Sequence, residues 1–164
     1  MRITRPALAL LLALLSACSV LQPSPSGPGA APGVAVPKET LAAEQRRLAE
    51  LFRGTPVVFA MQADGSLRVT VPLAYSFDKG RFAVKPPLGA VLDRVAKSQR
   101  TEATRFFVTA PADPQTKGLL LATERANSTR DYLVGRGVDA RRFSTSPVPS
   151  GDEVVIIVAD TSAH

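Results

Sequence analysis

The stretch from Leu121 to Phe143, LATERANSTRDYLVGRGVDARRF, constrains the fold more than any other. Ala122, Ala126, Thr129 and Leu133 lie four, three and four residues apart, the spacing that lines one stripe of an α-helix. Arg125 sits at the edge of that stripe, where a buried stem can carry a guanidinium toward a neighbouring loop. Gly135 and Gly137 then stop the helix, because glycine accepts the left-handed backbone that a helix end often needs. Val138 and Phe143 restart an apolar pattern.

The other elements follow from similar periodicities. Thr40 to Arg53 reads as a short amphipathic helix with Leu41, Leu48, Leu51 and Phe52 on one face. Thr40 is its N-cap, and Gly54-Thr55-Pro56 ends it. Val57–Met61 and Leu67–Val71 flank Asp64-Gly65, which is turn chemistry for a hairpin. Pro86 and Pro87 can open a helix, since N–H groups of the first turn have no helical partner. Leu88, Val91, Leu92 and Val95 continue it at i, i+3, i+4 and i+7. Arg105–Ala110 is a short β-prone run, read as a central strand ended by Pro111. Arg142–Ser146 is a further strand. Val154–Val158 is almost wholly β-branched, as in a strand buried on both faces. Strands alternating with helices imply an α/β sandwich, one sheet covered by two helices on one face.

Composition narrows the functional classes. The formal charge is +6, from 20 basic and 14 acidic residues. The basic residues are scattered, and seven Phe and two Tyr offer few stacking platforms, so no nucleic-acid partner is expected. A solvated basic surface near anionic polymers or lipids accounts for the charge. The single histidine is His164 and the single cysteine is Cys18. That inventory supplies no metal cluster, no His-based triad and no intrachain disulfide, so neither an enzyme nor a cofactor is expected.

Residues 1–17 read as a signal peptide. Arg2 and Arg5 form a positive start, and Ala7–Leu15 is an apolar run of nine residues. A bilayer span needs about 20 apolar residues, so the run is too short to be a permanent membrane helix. It ends Leu15-Ser16-Ala17-Cys18, which resembles the lipobox of bacterial lipoproteins. The resemblance implies that Cys18 becomes the mature N-terminus and carries a diacylglycerol and an amide-linked acyl chain. More than one acyl chain is what stable anchoring requires. Ser19, a residue other than Asp, implies sorting to the outer membrane with the protein facing the periplasm. Residues 18–37 continue as a linker with prolines at 23, 25, 28, 32 and 37, a composition that cannot bury enough apolar surface to fold. Residues 38–64 then hold the first helix and hairpin strand, and 65–160 the main domain.

Within 65–160, Phe77-Asp78-Lys79-Gly80 with Val84 and Pro86, the Arg125-Ala126 pair, the Tyr132-Leu133-Val134 exit and Arg142-Phe143 together resemble the OmpA C-terminal family. Phe82 stands where that family has a small residue. The family associates with peptidoglycan, and the resemblance implies an OmpA-like βαβαβ mixed sheet. It further implies that an Asp after the central strand meets the ammonium of stem-peptide diaminopimelate, and an Arg on the next helix its carboxylate. A guanidinium fork matches a carboxylate bidentately. Residue by residue these positions fall on Asp113, in Ala110-Pro111-Ala112-Asp113, and on Arg125, in Leu121-Ala122-Thr123-Glu124-Arg125-Ala126.

This sequence departs from the family at three points. The stretch between Asp113 and Arg125 is shorter. The family's Asn in that loop has no counterpart, Gly118 being nearest. Asp152 and Glu153 replace two arginines before the last strand, where they can crowd the pocket or repel a ligand carboxylate. An ungapped alignment would put Ala110 in the Asp position; Asp113 would then be a turn residue before Pro114. Two functions remain open on the sequence. One is an outer-membrane lipoprotein that ties the membrane to the wall. The other is an adaptor in an envelope secretion or transport complex, with protein partners and without wall binding.

Overall fold

The computed structural model describes residues 40–100, 102–115, 118–148 and 151–161. The signal peptide, Cys18 and the linker lie outside them. The chain divides into two units, 1–36 and 37–164, and the described residues all belong to the second. None of the described helices is long and apolar enough to cross a membrane.

Helix α1 (Leu41–Leu51) leads to strands β1 (Val58–Met61) and β2 (Leu67–Pro72). A single-turn helix, α2 (Leu73–Ser76), and α3 (Pro86–Gln99) follow, then β3 (Thr104–Pro111) and α4 (Leu119–Gly135). A 3-10 turn (Ala140–Arg142) enters β4 (Phe143–Val148), and β5 (Glu153–Asp160) closes the domain. The five strands form one mixed sheet in the order β1-β2-β5-β3-β4. β3 and β4 are parallel and every other pair is antiparallel. The result is the OmpA-like α/β sandwich that the sequence implies. The Val154–Val158 run provides the middle strand, and β3 lies beside it.

The strand register decides which face is core. Phe59, Val69, Ile156 and Val108 stand opposite one another across four strands. With Leu67, Val71, Phe106, Val154 and Val158 they meet Leu88, Val91, Leu92 and Val95 from α3 and Ala126 and Leu133 from α4. Helix α1 joins the same face through Leu48, and its C-cap Phe52 lies 5.5 Å from the Phe59 ring. The two helices expected on this face, α3 and α4, are thus joined there by the short N-terminal helix α1. The other face carries Arg68, Thr70, Val155, Ile157 and Phe107. Val155 and Thr70 are buried there, whereas Phe107 is 44% exposed. The expectation that β5 is enclosed on both faces therefore holds only in part: Ile157 is half-buried.

Local chemistry fixes the element ends. The Thr40 hydroxyl accepts from the Ala43 amide at 3.2 Å, capping α1. Leu51 is 51% exposed and lies off the buried face assigned to it, while its neighbour Phe52 packs against the core. Glu44 takes an inward position instead and is held by a two-pronged Arg47 contact at 2.7 and 2.8 Å. Helix α4 ends in a Schellman arrangement: the Gly137 amide donates to the Val134 carbonyl and the Val138 amide to that of Leu133. Gly137 has φ +94°, a conformation that L side chains resist. Arg142 caps the far end of α3, donating to the Gln99 and Thr104 carbonyls at 2.8 and 2.7 Å. Its guanidinium also lies 5.1 Å from the Phe106 ring centroid.

The central position of Ile156 gives a stability test. Ile156→Ala leaves a cavity in the fully buried row and should cost about 2–5 kcal/mol in urea unfolding. The same truncation at exposed Phe107 should cost much less.

Candidate functional site

Four strand ends gather at one pole of the sheet. β2 and β3 both run antiparallel to β5, and β4 runs parallel to β3. The exits of β2, β3 and β4 therefore lie beside the entry to β5. The segments 77–85, 112–115 and 151–152 all start or finish there. Asp152 is tied into this pole by its carbonyl, which accepts from the Leu73 amide at 2.6 Å. Gly151 lies against Pro111, since a Cβ there would stand 3.4 Å from the proline Cβ.

Asp113 and Arg125 meet at this pole. Nη2 of Arg125 donates to Oδ1 of Asp113 at 2.6 Å. Ala110, which an ungapped alignment would put in place of the acid, is buried in the core with Val71 and Val154. Arg125 is 0% exposed and Asp113 5%. Burying a guanidinium costs several kcal/mol unless its donors are satisfied. Here Nε donates to the Arg81 carbonyl at 2.9 Å, Nη1 to the Pro111 carbonyl at 3.0 Å and Nη2 also to the Asp78 carbonyl at 3.1 Å. The Phe77 ring centroid lies 5.3 Å from the guanidinium carbon. The second Asp113 oxygen accepts from the Gly80 amide at 2.6 Å.

The loop 77–81 is thus wrapped around the pair, two carbonyls against the cation and one amide against the anion. Gly80 makes this possible with φ +66°, in a turn closed by the Arg81 amide on the Asp78 carbonyl. Phe82, where the resembling family has a small residue, turns away and is 50% exposed. Lys85 steadies the loop from outside, with an ion pair to Asp78 at 3.2 Å and a bond to the Ala74 carbonyl at 2.9 Å.

Burial pushes the Asp113 carboxyl upward. The hydrogen bonds from Arg125 and the Gly80 amide, with the charges of Arg125 and Lys79, more than reverse this and hold it below its ordinary 3.8. A cavity of about 420 Å³ opens beside the pair, lined by Pro72, Leu73, Ala74, Phe77, Lys79, Asp113, Pro114, Gln115 and Asp152. Arg125 is not among its walls. The structure therefore brings together both residues singled out from the sequence, but only Asp113 borders open space. Lys79 and Asp152 border it as well and were not expected there as binding groups. Asp152 was legible as a charge reversal. Lys79 had no signal beyond its place in the Phe77–Gly80 run.

The buried pair makes an acid-sensitive lock. A carboxylate with a depressed folded-state pKa stabilises fully above its unfolded value, and that stability is lost as pH falls through the folded value. Asp113→Asn should cost about 3–5 kcal/mol at pH 7, because it leaves Arg125 charged and buried without its counter-ion. Below pH 4 the gap between wild type and variant should narrow, as read from urea midpoints across pH.

No protein-family model matches the chain, and no curated protein sequence matches it either. Solved structures do share its fold. The cell wall anchor of the T6SS from Pseudomonas aeruginosa aligns with TM-score 0.58 at 19% identity, covering 75% of this chain and 99% of that one. A MotB-like protein from Desulfovibrio vulgaris aligns with TM-score 0.59 at 14% identity, covering 75% and 94%. The periplasmic domain of Helicobacter pylori MotB aligns with TM-score 0.54 at 19% identity, covering 66% and 84%. At these identities the likeness is one of fold.

Proposed function

We propose that this chain is an outer-membrane lipoprotein whose OmpA-like domain associates non-covalently with peptidoglycan, at the diaminopimelate of the stem peptide. Cys18 carries the lipid, the domain faces the periplasm, and the protein ties the membrane to the wall without catalysing a reaction. The observation that carries this reading is the meeting of Asp113 and Arg125 at 2.6 Å beside an open cavity. They come from different elements and meet despite the shortened loop, so the acid and base that the resemblance places at the ligand site stand together here. The fold neighbours described as a cell wall anchor and as a periplasmic domain support the same reading.

One observation favours the adaptor reading. Arg125 is fully enclosed and makes four hydrogen bonds to protein oxygens, so its fork is not open to a ligand carboxylate. Sedimentation with purified sacculi separates the two. The wall reading expects the full-length chain to co-sediment at moderate salt, and to lose most of that binding when an amidase has stripped the stem peptides. A chain left in the supernatant with intact sacculi belongs to the adaptor class. For the anchor, Cys18→Ala should release the protein from the membrane fraction; retention there would overturn the lipid assignment.

A further inference from the structure

The cavity beside the buried pair is also lined by two charged residues outside that pair. Lys79 and Asp152 both line it and both are exposed. Among the described residues, neither side chain has a hydrogen bond or an ion pair, and the two do not pair with each other. Opposite charges that line one cavity without pairing to each other fit a ligand carrying both signs. Asp113 cannot supply the negative group as freely, since each of its oxygens already accepts a short bond. Arg125 cannot supply the positive one, since it has no exposed surface.

We infer that Lys79 and Asp152 are the ligand-facing residues, together gripping a zwitterionic amino-acid head that has an ammonium and a carboxylate on one carbon. Lys79 takes the carboxylate and Asp152 the ammonium. Asp113 and Arg125 are positioning residues. Arg125 fixes the carbonyls on either side of Lys79, those of Asp78 and Arg81, and Asp113 fixes the Gly80 amide next to it. Asp152 is fixed by its carbonyl on the Leu73 amide. Both charges therefore stand on backbone that is already ordered, which lowers the entropy lost on binding. Buried Phe77 and Leu73 give the cavity an apolar side on which the methylene chain of such an amino acid can lie. The acid at position 152, which from sequence alone reads as repelling a carboxylate, then has the sign needed for the ammonium.

This inference rests on the wall-binding reading for the source of its ligand, and the test separates the two. Detergent-solubilised full-length protein is assayed by sacculus sedimentation and by equilibrium dialysis with labelled meso-diaminopimelate. Wild type, Lys79→Gln and Asp152→Asn are compared, with Asp93→Asn as a remote surface control and thermal melts to check folding. Both variants should keep the wild-type melt and lose about tenfold or more in each assay, the loss expected for one charge-assisted hydrogen bond. Diaminopimelate acetylated on both amines should bind wild type no better than it binds Asp152→Asn. Wild-type sedimentation that neither substitution weakens would overturn the inference and leave the wall reading intact. Diaminopimelate binding that depends on Lys79 and Asp152, without sedimentation, would overturn the wall reading and leave the inference standing. Failure in both assays would overturn both.

Discussion

The Arg125–Asp113 ion pair is the contact on which the site end of this domain depends. A guanidinium with no solvent exposure is tolerable only where protein oxygens replace the water it has lost. Four such bonds are present, three of them to backbone carbonyls from two separate segments. Because carbonyl dipoles are fixed by the chain's own geometry, satisfying the cation fixes the end of β3 and the turn at 78–81 in the same act. The carboxylate completes the lock from the other side through the Gly80 amide. The pair is thus structural before it is anything else, and its influence on a ligand passes through the loop it orders.

Topology explains why this lock stands at a pole of the sheet instead of on a face. One face is filled by α1, α3 and α4 over a continuous apolar row, which leaves no room for a charged ligand. The other is only partly covered, with Thr70 and Val155 buried and Phe107 exposed. With β2, β3 and β4 all leaving the sheet at the end where β5 enters, loop backbone concentrates there. Loops carry amides and carbonyls that no ladder has used. A buried cation and a polar cavity can coexist at such a place because both draw on those groups.

The likeness to cell-wall and periplasmic domains is a likeness of fold at under 20% identity, and a fold of this kind can serve more than one partner. What discriminates among partners is the chemistry at the pole. There this chain has a buried arginine, a lysine bordering the cavity, and an acid where the pattern it resembles has a basic residue. Both signs of charge are exposed at the cavity, on Lys79 and Asp152.

The sequence by itself determined the elements whose causes are local. The 122–126–129–133 stripe is fully buried, Gly137 ends its helix in the left-handed region, and Thr40 caps α1 as its side chain dictates. The α/β sandwich followed from the alternation of periodicities, and Asp113 and Arg125 from a motif resemblance. Helix α2 escaped notice because a single turn is too short for a period to show, and Leu51, assigned to the buried face of α1, is exposed. Only the tertiary structure decided that Arg125 is sealed, since its acceptors are carbonyls of Asp78, Arg81 and Pro111, groups that every residue type carries alike. It alone decided, too, that Lys79 and Asp152, more than seventy positions apart in the chain, border one cavity, because that depends on β5 lying between β2 and β3, a pairing of distant segments that no local pattern encodes.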